Sequence, residues 1–208
     1  MPMSTKSRWK EIWFRLGVAV PQSLLYDDLV SKYCQVFRKY HTLQHLDECL
    51  ERLDEVRDLA ERPDEVEMAL WFHDAVYDVR RHDNEQRSAD WACESLSAAG
   101  VSSDVVDRVR SLILATDHRS PPQGRDAEII VDIDLAILGA ESGRFDEYER
   151  QIREEYDWVA EDVFRRERGR ILTGFLARPR IFRTDHFFGR YEARARDNIT
   201  GAIRRYAI

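Results

Sequence analysis

The chain has 208 residues, 43% of them apolar and 34% charged, which suits one folded domain with a real core and excludes a disordered chain as the starting assumption. Its net charge of -7 argues against a nucleic-acid surface or an anionic-membrane surface, and no segment approaches membrane-spanning length. Cys34, Cys49 and Cys93 are odd in number and form no C-x-x-C pair, so they read as buried reduced thiols of an intracellular protein. Lys6, Arg8 and Lys10 near the N-terminus are followed by no apolar leader region, and the expected location is cytoplasmic.

Taken in order, the apolar residues recur at helical spacing. Arg8 to Leu16 places Trp9, Ile12, Trp13 and Leu16 on one side, and Pro21 sits where a helix favours its first residue. Gln22 to Phe37 carries the stripe Leu25, Leu29, Tyr33, Val36. The string Arg38-Lys39-Tyr40-His41-Thr42-Leu43-Gln44-His45-Leu46 leads into a second stripe, Leu46, Leu50, Leu53, Val56 and Leu59. Pro63-Asp64-Glu65 opens the next helix with acidic residues in its first turn, as the helix dipole prefers. After the polar break at residues 80–84, Ala89, Ala92, Cys93 and Leu96 mark a helix ended by Gly100. Val105, Val109, Leu112 and Ile113 mark another, running to Thr116-Asp117-His118-Arg119.

Ser120 to Arg125, with Pro121, Pro122 and Gly124, is the most loop-like stretch. Ile129 to Leu138 is aliphatic apart from Asp132 and Asp134. A single strand would lack a partner in an otherwise helical chain, so a helix is expected there. Phe145 to Trp158 and Val163 to Leu176 add two amphipathic helices, Phe182 to Phe188 reads as an aromatic turn, and Tyr191 to Tyr206 closes the chain. The expectation is an all-α bundle of nine or ten helices.

Three features point to chemistry. The first is Trp71-Phe72-His73-Asp74-Ala75-Val76-Tyr77-Asp78, within the longest apolar run, Val66 to Val76, which reads as a core helix with His73 and Asp74 in its middle. A carboxylate buried alone costs several kcal/mol, and no Lys or Arg lies between Pro63 and Val79 to offset it. A cation from elsewhere in the fold, a hydrogen-bond network or a metal ion must do so. The second is His41 and His45, which i, i+4 spacing puts on one face of one helix. The third is Asp132 and Asp134, about 200° apart around a regular helix, so only one of them can face a given centre. Imidazole and carboxylate together suit first-row divalent metals, and helical bundles build such sites from facing side chains. Each feature alone also fits surface histidines, helix caps or pairs with the many arginines. Together they favour a metal centre.

The order His, then His-Asp, then Asp on a helical chain resembles the HD-domain metal-dependent phosphohydrolases. The strings Tyr-His-Thr-Leu-Gln-His-Leu, Trp-Phe-His-Asp-Ala-Val-Tyr-Asp, Asp-Asn-Glu-Gln-Arg-Ser-Ala and Asp-Ile-Asp-Leu-Ala-Ile-Leu-Gly resemble a bacterial subgroup of predicted HD phosphohydrolases, from about Trp9 to the C-terminus. The resemblance implies a single HD-type domain over residues 1–208, with the metal-site region at about 22–140 and C-terminal helices at about 143–206 packing on it. It implies metal ligands at His45, His73, Asp74 and Asp134, with Asp132 in reserve. Tyr40-His41 is similar to the cyclic-nucleotide phosphodiesterases, which makes His41 a candidate general acid; an imidazole one turn from a ligand also suits proton transfer near neutrality.

The implied reaction is hydrolysis of a phosphoester by metal-activated water, on a small phosphorylated and nucleotide-like substrate. One divalent ion is expected (Mn, Mg, Co, Ni, Zn or Fe), a second being held largely by water if it binds at all. Asp78, one turn beyond Asp74 on the same expected helix, is a candidate for orienting the water, against the plainer reading of a helix-terminal cap. His118 is the other histidine able to approach a second metal or the phosphate. Arg87 is a candidate phosphate clamp, against a salt bridge to its acidic neighbours. Glu85 suits the helix dipole, and Arg194 and Asn198 fit the C-terminal pattern without an assigned role. A diiron oxygenase of the HD type, or a non-catalytic module binding metal and nucleotide, uses the same ligands, and homo-oligomerisation is open.

Overall fold

A computed structural model describes residues 5–206, and all regular structure among them is helical. The helices are α1 (Thr5–Arg15), α2 (Ser23–Tyr33), α3 (Leu43–Val56), α4 (Pro63–Phe72), α5 (Asn84–Ala98), α6 (Ser103–Ala115), α7 (Arg125–Asp134), α8 (Ser142–Glu155), α9 (Glu161–Leu176) and α10 (Asp185–Tyr206). Short 3-10 helices follow α3 (Arg57–Leu59) and α7 (Leu135–Gly139). The all-α class is therefore as expected, and the aliphatic stretch around Asp132 is helical. No described helix is long and apolar enough to cross a membrane. The chain divides into two compact units, Met1–Val131 and Asp132–Ile208.

In the first unit, α4 packs against α1, α3, α5 and α6. Pro63 starts it, Asp64 and Glu65 occupy its first turn, and every residue from Glu65 to Phe72 is buried. A helix apolar on nearly all sides must be enclosed by others. Trp9 and Trp13 of α1 meet Trp71 and Phe72 in a cluster, with Trp9 edge-on to Trp71 at 5.0 Å between centroids. Each such ring removes enough apolar surface from water to contribute about 1.5–3 kcal/mol.

Three boundaries depart from the sequence reading, and they matter for the site. The stripe through Val36 does not continue as helix: α2 ends at Tyr33 and Val36 is 88% exposed. The next helix starts only at Leu43, behind Thr42, whose hydroxyl accepts a hydrogen bond from the Gln44 amide at 3.3 Å. His41 therefore lies in the loop before α3, and the shared helix face expected for His41 and His45 does not exist. Helix α4 stops at Phe72, so His73 caps it and Asp74 lies in the following turn. Asp78 is consequently not one helical turn along the same face from Asp74. Cys34, just past the end of α2, is exposed and Cys93 half-buried; only Cys49 is the buried thiol expected of all three.

In the second unit the 3-10 helix Leu135–Gly139 packs on α8 and α10, and α9 packs on α10. Gly139 is required by close approach, since a Cβ there would lie 2.7 Å from both Cβ and the carbonyl oxygen of Tyr191. Arg194 Nε donates to Gly139 O at 2.6 Å, and Asn198 Nδ2 donates to Leu138 O and Ala140 O at 3.0 and 2.9 Å. These two residues satisfy carbonyls that the end of a short helix leaves unpaired. Helix α10 starts at Asp185, six residues before the expected Tyr191, and takes in part of the aromatic turn.

Candidate metal centre

His45 enters from the first turn of α3, His73 from the C-cap of α4 and Asp74 from the turn after it. His45 Nε2 and His73 Nε2 are 3.1 Å apart. Asp74 Oδ2 lies 3.5 Å from the first and 3.2 Å from the second. Ligand atoms held at about 2.0–2.2 Å from a first-row cation stand roughly 3.0–3.5 Å apart at octahedral to tetrahedral angles, so this triangle fits one such ion. Both imidazoles are buried, while the Asp74 side chain keeps 18% exposure and opens the centre to the outside.

The hydrogen-bond pattern supports the same fit. His73 Nδ1 lies 2.7 Å from the Leu70 carbonyl, which can only accept, so Nδ1 carries the proton and donates. A neutral His73 then directs the Nε2 lone pair at His45 and Asp74, the Leu70 carbonyl fixing both tautomer and ring orientation. Two buried imidazole nitrogens in contact beside a carboxylate call for positive charge between them, from a proton or from a cation. In the metal-free protein the proton serves. Burial alone would lower the pKa of His73, but Asp74 outweighs it and raises the value well above the ordinary one. Burial would likewise raise Asp74, but His73, His41 and His45 draw it well below the usual carboxylate range.

Cys49, one turn along α3 from His45, was legible in the sequence only as a buried thiol. His45, Cys49 and His73 each present a ligand atom within 4.8 Å of the others, a group able to hold a metal ion. Its Sγ lies 3.7 Å from His45 Nε2 and 3.8 Å from Nδ1, so the sulfur sits beside the ring rather than on the Nε2 lone-pair axis. Burial works to raise this thiol, and His45 and His73 more than reverse that, leaving its pKa below the ordinary value.

His41 is brought to the rim although it is off the helix. Its ring stacks on Tyr77 at 4.0 Å and stands 6.0 Å from the ring of His45, and its charge helps depress Asp74. Asp78 Oδ1 accepts the Arg80 amide at 2.9 Å, and Asn84 bridges the Asp78 amide and carbonyl, so this residue organises the turn into α5. Arg87 is exposed on α5. His118 follows α6 as the described non-glycine residue with positive φ, 55°, and is half-buried. Asp117 and Arg119 flank it; Arg119 donates to the His82 carbonyl at 2.8 Å and so ties this turn to the one before α5. Glu85, expected only to favour the dipole, feels Asp74 and Asp117: burial first, then these charges, raise its pKa against its own backbone hydrogen bond.

The two aspartates of α7 separate as helical geometry demands. Asp132 is 0% exposed and accepts the Arg183 amide at 2.7 Å, the Thr184 amide at 2.7 Å and the Thr184 hydroxyl at 2.8 Å. Its oxygens are occupied in holding the segment before α10, which removes it as the reserve ligand. Asp134 is half-buried at the last position of α7. Comparisons with protein-family models, curated proteins and solved structures return no match for this chain.

Proposed function

We propose that this protein is a cytoplasmic, metal-dependent phosphohydrolase of the HD type, acting on a small, nucleotide-like phosphoester. The observation that carries the proposal is the triangle of His45 Nε2, His73 Nε2 and Asp74 Oδ2, with edges of 3.1, 3.2 and 3.5 Å. Asp134 is proposed as the further ligand on the sequence pattern alone. A divalent ion bound by these residues supplies Lewis acidity and a water of lowered pKa.

The chain's own residues do the rest. The Leu70 carbonyl fixes the His73 tautomer, and the enclosing α4 core excludes bulk water from the imidazole side. His41, stacked on Tyr77 at the rim, protonates the leaving oxygen. His118 and Arg87 are proposed to meet the phosphate, and Asp78 to orient water through the turn it organises.

The test is phosphate release from a panel of nucleotides and sugar phosphates by chelator-stripped protein, with Mn, Mg, Co, Ni, Zn or Fe(II) added in turn. Release with at least one ion, abolished by chelator and by His41→Ala, is the expected result. No release with any ion across the panel would overturn the proposal, and oxygen uptake by a two-iron form would replace it with oxygenase chemistry.

A further inference from the structure

Arg38 is a buried arginine, 3% exposed, in the loop between α2 and α3. Its Nε donates to Gln35 Oε1 at 3.4 Å. Nη1 donates to the Asp74 carbonyl at 2.6 Å and to the His41 carbonyl at 3.2 Å, and Nη2 donates to the Ala75 carbonyl at 3.0 Å. The guanidinium lies over the Tyr33 ring at 5.2 Å and the Tyr77 ring at 5.5 Å. One plane of donors thus joins three carbonyls from two loops, and the aromatic faces confine it. Two of those carbonyls belong to the turn that ends α4, where a helix leaves acceptors unpaired and its dipole favours a cation. The third belongs to His41, and the Tyr77 ring beneath the guanidinium is the one on which His41 stacks.

We infer that Arg38 is a positioning residue which sets the His41 loop against the His73–Asp74 turn and so holds the proton donor and the metal ligand in register. This rests on the proposed hydrolase reading for its catalytic meaning. A lysine cannot replace the fork: its single ammonium cannot span three carbonyls in one plane. The geometry also accounts for the turn after α4, whose Asp74 and Ala75 carbonyls both meet one buried cation.

The test compares wild type with Arg38→Lys and Arg38→Ala in three readouts. Mn(II) affinity is measured by titration, kcat and KM on p-nitrophenyl phosphate with Mn(II), and the His41 ring-proton shifts by NMR. In Arg38→Lys we expect kcat to fall about 10- to 100-fold while KM changes little, and Mn(II) affinity to fall by about tenfold, the range seen for residues that orient ligands. The His41 ring protons should lose the shift caused by Tyr77, and guanidinium added to Arg38→Ala should restore turnover and the shift. A folded Arg38→Lys protein with wild-type kcat, Mn(II) affinity and His41 shifts would overturn the inference. Should wild type release no phosphate with any of the six ions across the substrate panel, the hydrolase proposal fails, while the His41 shifts still decide whether Arg38 sets the loop. If Arg38→Ala does not fold, the lysine variant carries the same decision.

Discussion

Two aspartates in this protein, Asp132 buried and Asp74 half-buried, have opposite surroundings. Asp132 is met by two amides and a hydroxyl, all at 2.7–2.8 Å. Such a carboxylate is a strut: both its oxygens accept from donors of the segment before α10. Asp74 turns an oxygen to two imidazole nitrogens at 3.2 and 3.5 Å, groups that can equally well be ligands. The difference between them is the identity of the facing atoms. Buried carboxylates facing backbone amides are committed to the fold, whereas one facing imidazole lone pairs remains open to a cation.

Substitution should separate the two sharply. Asp74→Asn is expected to reduce turnover to background and metal affinity by more than about 100-fold, beyond what loss of a merely orienting residue does. The urea midpoint of the metal-free protein should also fall, by the stabilisation that the Asp74 charge gives a protonated His73. Asp132→Ala should cost about 3 kcal/mol or more in urea unfolding because the Arg183 and Thr184 amides lose their acceptor. If Asp132→Ala released the metal at undiminished stability, the roles assigned to the two residues would be exchanged.

A smaller effect is expected at Gly139. Gly139→Ala places a methyl group 2.7 Å from Tyr191 and should cost about 1–3 kcal/mol of stability, read as a lowered melting temperature with metal stoichiometry unchanged.

The pH dependence sharpens the contrast further. His73 has its pKa raised well above 6.5 in the folded metal-free protein, so its contribution to stability is complete below that value and is lost as pH rises through the raised one. Asp74 has its pKa depressed below 3.8, so its contribution is present above 3.8 and is lost as pH falls through the lower value. Urea midpoints with chelator present should therefore decline on the alkaline side above about pH 6.5. Metal affinity should rise over that same interval, because the His73 proton competes with the ion. A flat alkaline limb in His73-containing protein, indistinguishable from His73→Ala, would break this linkage.

The helical class and most helix positions were legible because burial here follows a 3.6-residue period: Trp9, Ile12 and Trp13, or Val109, Leu112 and Ile113, are buried where the pattern put them. His45, His73 and Asp74 stood out as polar residues in apolar surroundings, and the structure brings these three together. The ends of α2 and α4 were not legible. Neither has a glycine or proline nearby, and the turn after α4 is held by Arg38, whose carbonyl partners at residues 74 and 75 are remote from it in sequence. Periodicity cannot see such a tertiary cap. The separation of Asp132 from Asp134 followed from helical geometry, but the use of Asp132 depends on amides about fifty residues later. Arg194 and Asn198 acquire their role in the same way, from carbonyls on another element.

The most direct measurement is the metal content of wild type and His73→Ala after chelator stripping, reloading with a divalent ion and removal of the excess. One tightly held ion per wild-type chain, and none on the variant while its helical circular dichroism is unchanged, is the predicted result. Wild-type protein that holds no ion, or a variant that holds it equally well, would contradict a centre built on His45, His73 and Asp74.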